Sequence, residues 1–540
     1  MKEKIKNFLD ELVPEKVLEK FLVWFDSSKR IAFVTAILVG IITHITMMTD
    51  TIMSQDGIWN SMQYARAGDW ETTLGRWGIE IAGRLHNFVA IPSITTILCL
   101  FLMAVTSCFI VDLFGLKSKF SAIFTGAILV VSPCLTATLL YVYTSVAYCV
   151  DMLVAVLAIW FIYKFKYKKL GVVMGALCFT FALSIYQSYM GVTVGICIML
   201  SIVNLLKNNS KIKDVFIDIG KTVLAVLVGG ILYYVLTMCI LNYLNLDMAT
   251  YNGANNLSIS KVIENFGNGF ISTYKDFVEF FFGDNIIRNA NYRRDIWYAL
   301  FFLGLVLSLV VNFVKLKADS KKEKAFKIVL ALIMFLLIPF GLNIVSIIAV
   351  GTTMYALTAA QLILIVPFAF AMFEMENTEM FSKWMLILGC MCIVGTYYLS
   401  DSTSYAALKM TYNQAYSSTM RVLDRIETTP GYEKNMPLLL AGIIGNNNYP
   451  RTSNIYGFTI GELANHTVFH GTYGGQVGTW VNYMKVFFGL DIPMCDQDTY
   501  RTIVTGEEYK DMEMFPAEDS IRIMNGVVVV KLSEEPPLPY

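Results

Sequence analysis

The sequence predicts an α-helical polytopic membrane protein that closes with a small extracytoplasmic α/β domain, and three observations carry that reading. Charged residues fill only 16% of the 540 positions, 56% are apolar and mean hydropathy is +0.56, whereas soluble proteins carry about 25% charged residues. Eleven apolar runs approach or reach the roughly 17–25 residues that cross about 30 Å of hydrocarbon. From residue 401 onward these runs give way to polar turns and strand-like segments. Lys+Arg and Asp+Glu both total 42, so the chain lacks the basic excess of a nucleic-acid binder.

Taken in order, residues 1–30 carry Phe8, Leu12, Leu18, Phe21, Leu22 and Phe25 at helical spacings among Lys and Glu, the pattern of an amphipathic helix on the membrane face. They contain no A-x-A cleavage site, so this segment is expected to be retained. The spans fall at 31–49, 91–111, 121–140, 146–163, 170–186, 190–206, 222–243, 296–314, 328–343, 355–373 and 384–400. Lys and Arg in alternate connections number 24 on one side and 8 on the other. Positive residues stay cytoplasmic, which puts the N-terminus inside, and an odd number of spans then puts 401–540 outside. The large outer connections are 50–90 and 244–295. In the last segment, Leu438–Ile444 and Val527–Leu532 read as strands, Tyr405–Ile426 as a helix, and Gly445–Asn448 and Gly471–Gly475 as turns.

Nine of ten cysteines lie in apolar runs, leaving Cys495 alone in a polar region, so no disulfide framework is expected. Four histidines and no CxxC pair make a structural zinc site unexpected. His466 and His470 have i, i+4 spacing but no Glu between them, and Asp496-Gln497-Asp498 has only the letter spacing of a DxD motif. No metal ligand set is assigned and no cofactor is required, with a divalent metal left open but not indicated. No Walker or GxGxxG motif opens a helix after a strand, which argues against nucleotide-sugar chemistry inside the cell.

The spans are nearly free of charge, with Asp112 and Asp151 read near span ends, which does not suit an ion-driven transporter. Acids, arginines and aromatics concentrate instead in the outer connections. Asp50 and Asp56 follow the first span within seven residues, beside Trp59 and ahead of Gly75-Arg76-Trp77. A carboxylate there can take a proton from a hydroxyl nucleophile, and Arg pairs with phosphate oxygens through a planar fork. Arg76 is the first phosphate candidate; Arg293 and Arg294, which break the positive-inside trend, are the second. Trp59, Trp77, Tyr186 and Gln187 are the candidate sugar or acceptor contacts, with Asn343 weaker. The other tyrosines at outer span ends, Tyr141, Tyr143, Tyr148, Tyr189, Tyr355, Tyr397 and Tyr398, read as an interfacial belt.

His44–Thr49 closing the first span, Asp56-Gly57-Ile58, Gly75-Arg76-Trp77 and Ser184–Tyr189 between spans five and six together resemble the GtrII-like (Gtr-type) O-antigen glucosyltransferases, polytopic bacterial enzymes. The resemblance covers roughly residues 31–400. It implies a GT-C-like fold, a bacterial plasma-membrane location, a polyprenyl-phosphate-linked sugar donor, a cell-surface glycan acceptor and an acid of the first outer loop at the active site, here Asp56 with Asp50 second. The expected reaction is transfer of a hexose, glucose by the resemblance, on the outer side. The alternatives are an exporter of polysaccharide or lipid-linked sugar, which would need polar groups on both sides, and a surface-polysaccharide ligase or polymerase using the same lipid carriers.

Overall fold

In lipid every backbone polar group must find its partner within the chain, and the protein meets this almost entirely with helices. The structure, a computed structural model, describes residues 13–60, 68–165, 167–208, 210–249, 259–287, 294–348, 354–375, 380–442 and 473–534. Helix α1 (Pro14–Trp24) has no buried residue, and Trp24 at its end is half-buried with its ring 4.9 Å from that of Phe109. Asp26 then caps α2 (Ser27–Thr49), its carboxylate accepting from the N–H groups of Ser28 and Lys29 at 3.1 and 3.2 Å. The Lys29 ammonium joins Asp26 at 2.7 Å and Asp112 at 3.3 Å, and Trp160 Nε1 donates to Asp112 at 2.8 Å. These charges tie three helices together at one end of the bundle.

Between α2 and the next span lie short helices α3 (Gln55–Asn60), α4 (Asp69–Thr73) and α5 (Gly78–Gly83). The bundle continues as α6 (Pro92–Phe114), α7 (Lys119–Val131), α8 (Pro133–Leu140), α9 (Val142–Lys164), α10 (Lys168–Ile185), α11 (Met190–Leu206) and α12 (Ile212–Leu244). Pro133 splits α7 from α8 because it brings no N–H to the ladder, and Ser132 Oγ caps the new start by accepting from Cys134 N–H at 3.4 Å. An amphipathic helix α13 (Ile259–Phe282) precedes α14 (Arg294–Lys315), α15 (Lys321–Leu336), the short α16 (Ile338–Leu342) and α17 (Val345–Ile348), and α18 (Ile365–Glu374).

Among the described residues, nine helices are long and apolar enough to cross a membrane. They coincide with nine of the eleven expected spans. The expected spans at 328–343 and 355–373 are shorter or broken pieces: Pro339 opens a new helix after α15, and residues 356–364 form two 3-10 turns before α18. Asp151, read near a span end, is fully buried midway along α9.

The boundary expected at residue 400 falls inside one helix, α19 (Met380–Thr428). Its 49 residues extend about 73 Å at 1.5 Å per residue, far beyond the hydrocarbon thickness. Pro430-Gly431 follow its end. A three-stranded sheet comes after it, with β1 (Leu438–Ala441) parallel to β3 (Val527–Lys531) and β2 (Ile521–Met524) antiparallel to β3. Leu438 lies opposite Val528 and Ile521 opposite Val530. Asn525 and Gly526 turn the β2–β3 hairpin with φ of 52° and 75°, the conformation that a two-residue hairpin loop needs. Helices α20 (Tyr473–Phe488), α21 (Gln497–Thr505) and α22 (Glu507–Lys510) complete this region. Trp480 of α20 donates its Nε1–H to Thr419 Oγ1 at 2.7 Å, fastening α20 to α19.

Candidate active site

The segment after α2 runs extended and then folds into α3 by local bonds. Ser54 N–H donates to the Leu140 carbonyl at 2.8 Å, and Gly57 N–H donates to Ser54 Oγ at 3.2 Å. These bonds lean α3 on the end of α8. Asp56 stands exposed in the first turn of α3, and Trp59 on the same helix is 39% exposed.

Arg76 arrives from the other side of this mouth. Its N–H donates to the Glu71 carbonyl at 2.8 Å, closing the turn after α4. Its guanidinium lies over the Tyr186 ring, 4.6 Å from the centroid, a cation–π contact. Tyr186 in turn stacks on Tyr148 at 4.8 Å and shares a hydroxyl–hydroxyl bond with Tyr355 at 3.1 Å. Arg76 Nε is buried with no hydrogen-bond partner among the described residues. Buried polar groups are nearly always paired, so an orphaned guanidinium donor in a tyrosine-lined recess is suited to receive an anion. Tyr143, at the start of α9, lies within electrostatic range of Asp56, Glu71 and Arg76 together. The helix that carries Asp56, α3, and the helix that follows Arg76, α5, both pack against α9.

Gly75 sets the direction of Arg76, with φ of +74°, and a Cβ there would run into the Tyr233 hydroxyl. A left-handed L-residue costs roughly 1–2 kcal/mol before any clash. Gly75→Ala is expected to lower the detergent melting temperature modestly and to cut activity at least about tenfold by moving Arg76; equal activity per folded molecule would remove Gly75 from this role.

Several sequence-predicted residues have other duties. Asp50 pairs with Lys409 at 2.9 Å, so it faces a cation on α19 and is not poised as a second base. Tyr186 is buried, with its ring packed against Arg76 and Tyr148, and offers no open face for a sugar. Gln187 Nε2 donates to the Leu74 carbonyl at 3.0 Å and to the Tyr233 hydroxyl at 2.8 Å. Its amide donors therefore hold the turn that carries Arg76. Trp77 Nε1 donates to Thr237 Oγ1 at 3.1 Å, tying the loop to α12. Asn343 Nδ2 donates to Asp276 at 2.8 Å, while burial pushes the Asp276 carboxyl above its usual range.

Arg294 is buried, and its guanidinium donates to the carbonyls of Ile287 at 2.7 Å and of Gly283. Asp284 and Asp295 lie 3.5 and 3.6 Å away. It fastens the entry to α14 through these carbonyls, and its Nε, like that of Arg76, has no hydrogen-bond partner among the described residues. Arg294→Ala is expected to destabilise the protein by about 1–3 kcal/mol through the orphaned carbonyls, read as a lower melting temperature with donor KM unchanged; a raised donor KM would return Arg294 to the site. Arg293, His466 and His470 lie outside the described residues. Asp496 caps α21, accepting from the N–H groups of Asp498 and Thr499 at 3.0 and 2.9 Å, so the Asp496–Asp498 triplet serves as a helix start. Among the described residues no group of three or more His, Cys, Asp or Glu side chains could hold a metal ion.

Tyr148 and Tyr355 read in the sequence only as belt residues, yet both hold Tyr186 beneath Arg76; Tyr148, Tyr189 and Tyr397 are buried inside the bundle instead of facing lipid. Glu71, in the Asp69-Trp70-Glu71 stretch of the first outer connection, accepts from Gly68 N–H at 2.8 Å and so caps α4.

The helices and this recess define a multi-pass membrane protein with a carboxylate and a cation at one mouth of its bundle. Residues 41–368, more than half of the chain, match the family model described as glucosyl transferase GtrII, and the chain belongs to that family. It is therefore a membrane glucosyltransferase, and Asp56, Arg76 and the Tyr186–Gln187 break all lie within the matched region. No curated protein and no solved structure matches the chain.

Proposed function

We propose that the protein transfers glucose from a polyprenyl-phosphate-linked donor to a cell-surface glycan, on the outer side of a bacterial plasma membrane. The observation that carries this reading is the buried Arg76 guanidinium over the Tyr186 ring, its Nε without a partner among the described residues, on a loop whose helix α5 packs against α9, as does the helix α3 that carries exposed Asp56. Asp56 takes the proton from the acceptor hydroxyl as its oxygen bonds to the anomeric carbon. The bond from that carbon to the phosphate oxygen breaks, and the electron pair leaves with the polyprenyl phosphate. Arg76 receives the growing negative charge on that phosphate through its planar fork. A monophosphate leaving group with an arginine beside it calls for no metal. The excess of Lys and Arg in the connections at the opposite end of the spans supports the outer assignment of this mouth, as does an odd number of spans for an outer C-terminal region. The GT-C-like architecture belongs to the same reading.

The test is transfer of radiolabelled glucose from polyprenyl-phosphate-glucose to extracted cell-surface glycan by the purified protein in detergent. Label in the glycan together with released polyprenyl phosphate is the expected result. Movement of intact lipid-linked sugar across proteoliposomes without transfer would establish the exporter in its place, and joining of whole glycan chains from lipid carriers would establish a ligase or polymerase.

A further inference from the structure

Tyr405, Lys409 and Tyr412 lie at i, i+4 and i+7 on α19, one face of a helix, and each grips a successive point of the segment that leads to Asp56. Tyr405 donates its hydroxyl to His44 Nδ1 at 2.7 Å, and His44 Nε2 donates to the Val130 carbonyl at 2.7 Å. A carbonyl only accepts, so Nε2 carries the hydrogen and Nδ1 of the neutral ring is the acceptor. His44 is where α2 departs from helical geometry, with φ of −107° and ψ of 19°, and the two bonds fix that bend. One turn along, Lys409 meets both oxygens of Asp50 at 2.9 and 3.1 Å. This pair is half-exposed and contributes little by itself. Next, the buried Tyr412 hydroxyl accepts from Met53 N–H at 3.2 Å and donates to the Met53 carbonyl at 2.8 Å. It thus satisfies both backbone groups of a residue that has no helix to do so.

From Met53 onward the chain has no slack. Ser54 N–H is held by Leu140 and Ile58 N–H by the Ser54 carbonyl at 3.1 Å, so Asp56 follows the clamp within one turn. The Tyr412 ring packs 6.0 Å from Tyr483 and 5.7 Å from Phe487, both on α20, which also packs against α3. We propose that this face of α19 is a splint that positions Asp56, with the Tyr412 hydroxyl as its decisive group, and that α20 holds the splint in place. Residues beyond the matched 41–368 thereby complete the site. The inference rests on the assignment of Asp56 as the base, and Tyr412 is a positioning residue that acts through Met53.

Tyr412→Phe keeps the ring packing and deletes only the hydroxyl. In the full-length protein it is expected to lower kcat about 10- to 100-fold, the scale of a misplacement of about 1 Å, with donor KM within about twofold because Arg76 is untouched. The limb of the pH–rate profile that reports Asp56 should shift, which a purely structural role would not cause. Tyr405→Phe, two rungs lower, should show the same pattern more weakly and serves as the test if Tyr412→Phe does not fold. Unchanged kcat and pH profile in the folded variant would overturn the splint. Asp56→Asn is run alongside: activity retained there removes the base assignment, whereas activity lost there with a wild-type Tyr412→Phe removes the splint alone.

Discussion

Asp56→Asn is expected to leave the protein folded in detergent and to lower glucosyl transfer by about 10²–10⁴-fold, the usual contribution of a positioned general base. The substitution nearly preserves shape while removing the group that accepts the proton. The Asp56 side chain is exposed, and the bond that Asn60 Nδ2 makes at 2.8 Å goes to the Asp56 backbone carbonyl, which the substitution leaves in place. The measurement is single-turnover transfer with bound donor, so that a binding effect does not pass for a chemical one. Turnover at the wild-type rate would move the base elsewhere, and Glu71, which shares the neighbourhood of Tyr143, would be the group to replace next. Asp50→Asn serves as the contrast. Its ion pair with Lys409 is half-exposed, so it should change activity far less than Asp56→Asn.

Arg76→Lys is expected to lower kcat/KM for the donor roughly 10- to 150-fold, corresponding to the loss of about 1.5–3 kcal/mol from one charge-assisted hydrogen bond. The charge is kept, but the planar fork and its fit over the Tyr186 ring are not. A lysine ammonium would also be more costly to strip of water in this recess. The defect should appear in donor kinetics and in weaker product inhibition by polyprenyl phosphate, with acceptor KM little changed. Normal donor kinetics in Arg76→Lys would show that a point charge suffices and that the fork has no role.

The spans were legible because lipid imposes a length of apolar chain that can be counted along the sequence. Asp56 and Arg76 were legible for a related reason: polar residues concentrated at one end of an apolar bundle stand out. Other features left weaker traces. The continuation of α19 across residue 400 was written as the absence of any Gly or Pro between 396 and 428, a signal outweighed by the change in composition at the same place. Tyr148 and Tyr355 looked like belt residues because a tyrosine at a span end has the same spacing whether it faces lipid or the bundle. Arg294 carried the pattern of a phosphate ligand, and nothing nearby in the chain announces that the Gly283 and Ile287 carbonyls claim it.

By itself, then, the sequence determined the membrane class, the positions of nine long helices and the polar mouth, since each follows from local composition measured against the thickness of a bilayer. Only the tertiary structure decided which polar groups at that mouth are paired within the chain and with what. Hydrogen bonding is settled pairwise in space: His44 finds Tyr405 across 361 residues and Met53 finds Tyr412 across 359, and no pattern of spacing along the chain encodes such a partner.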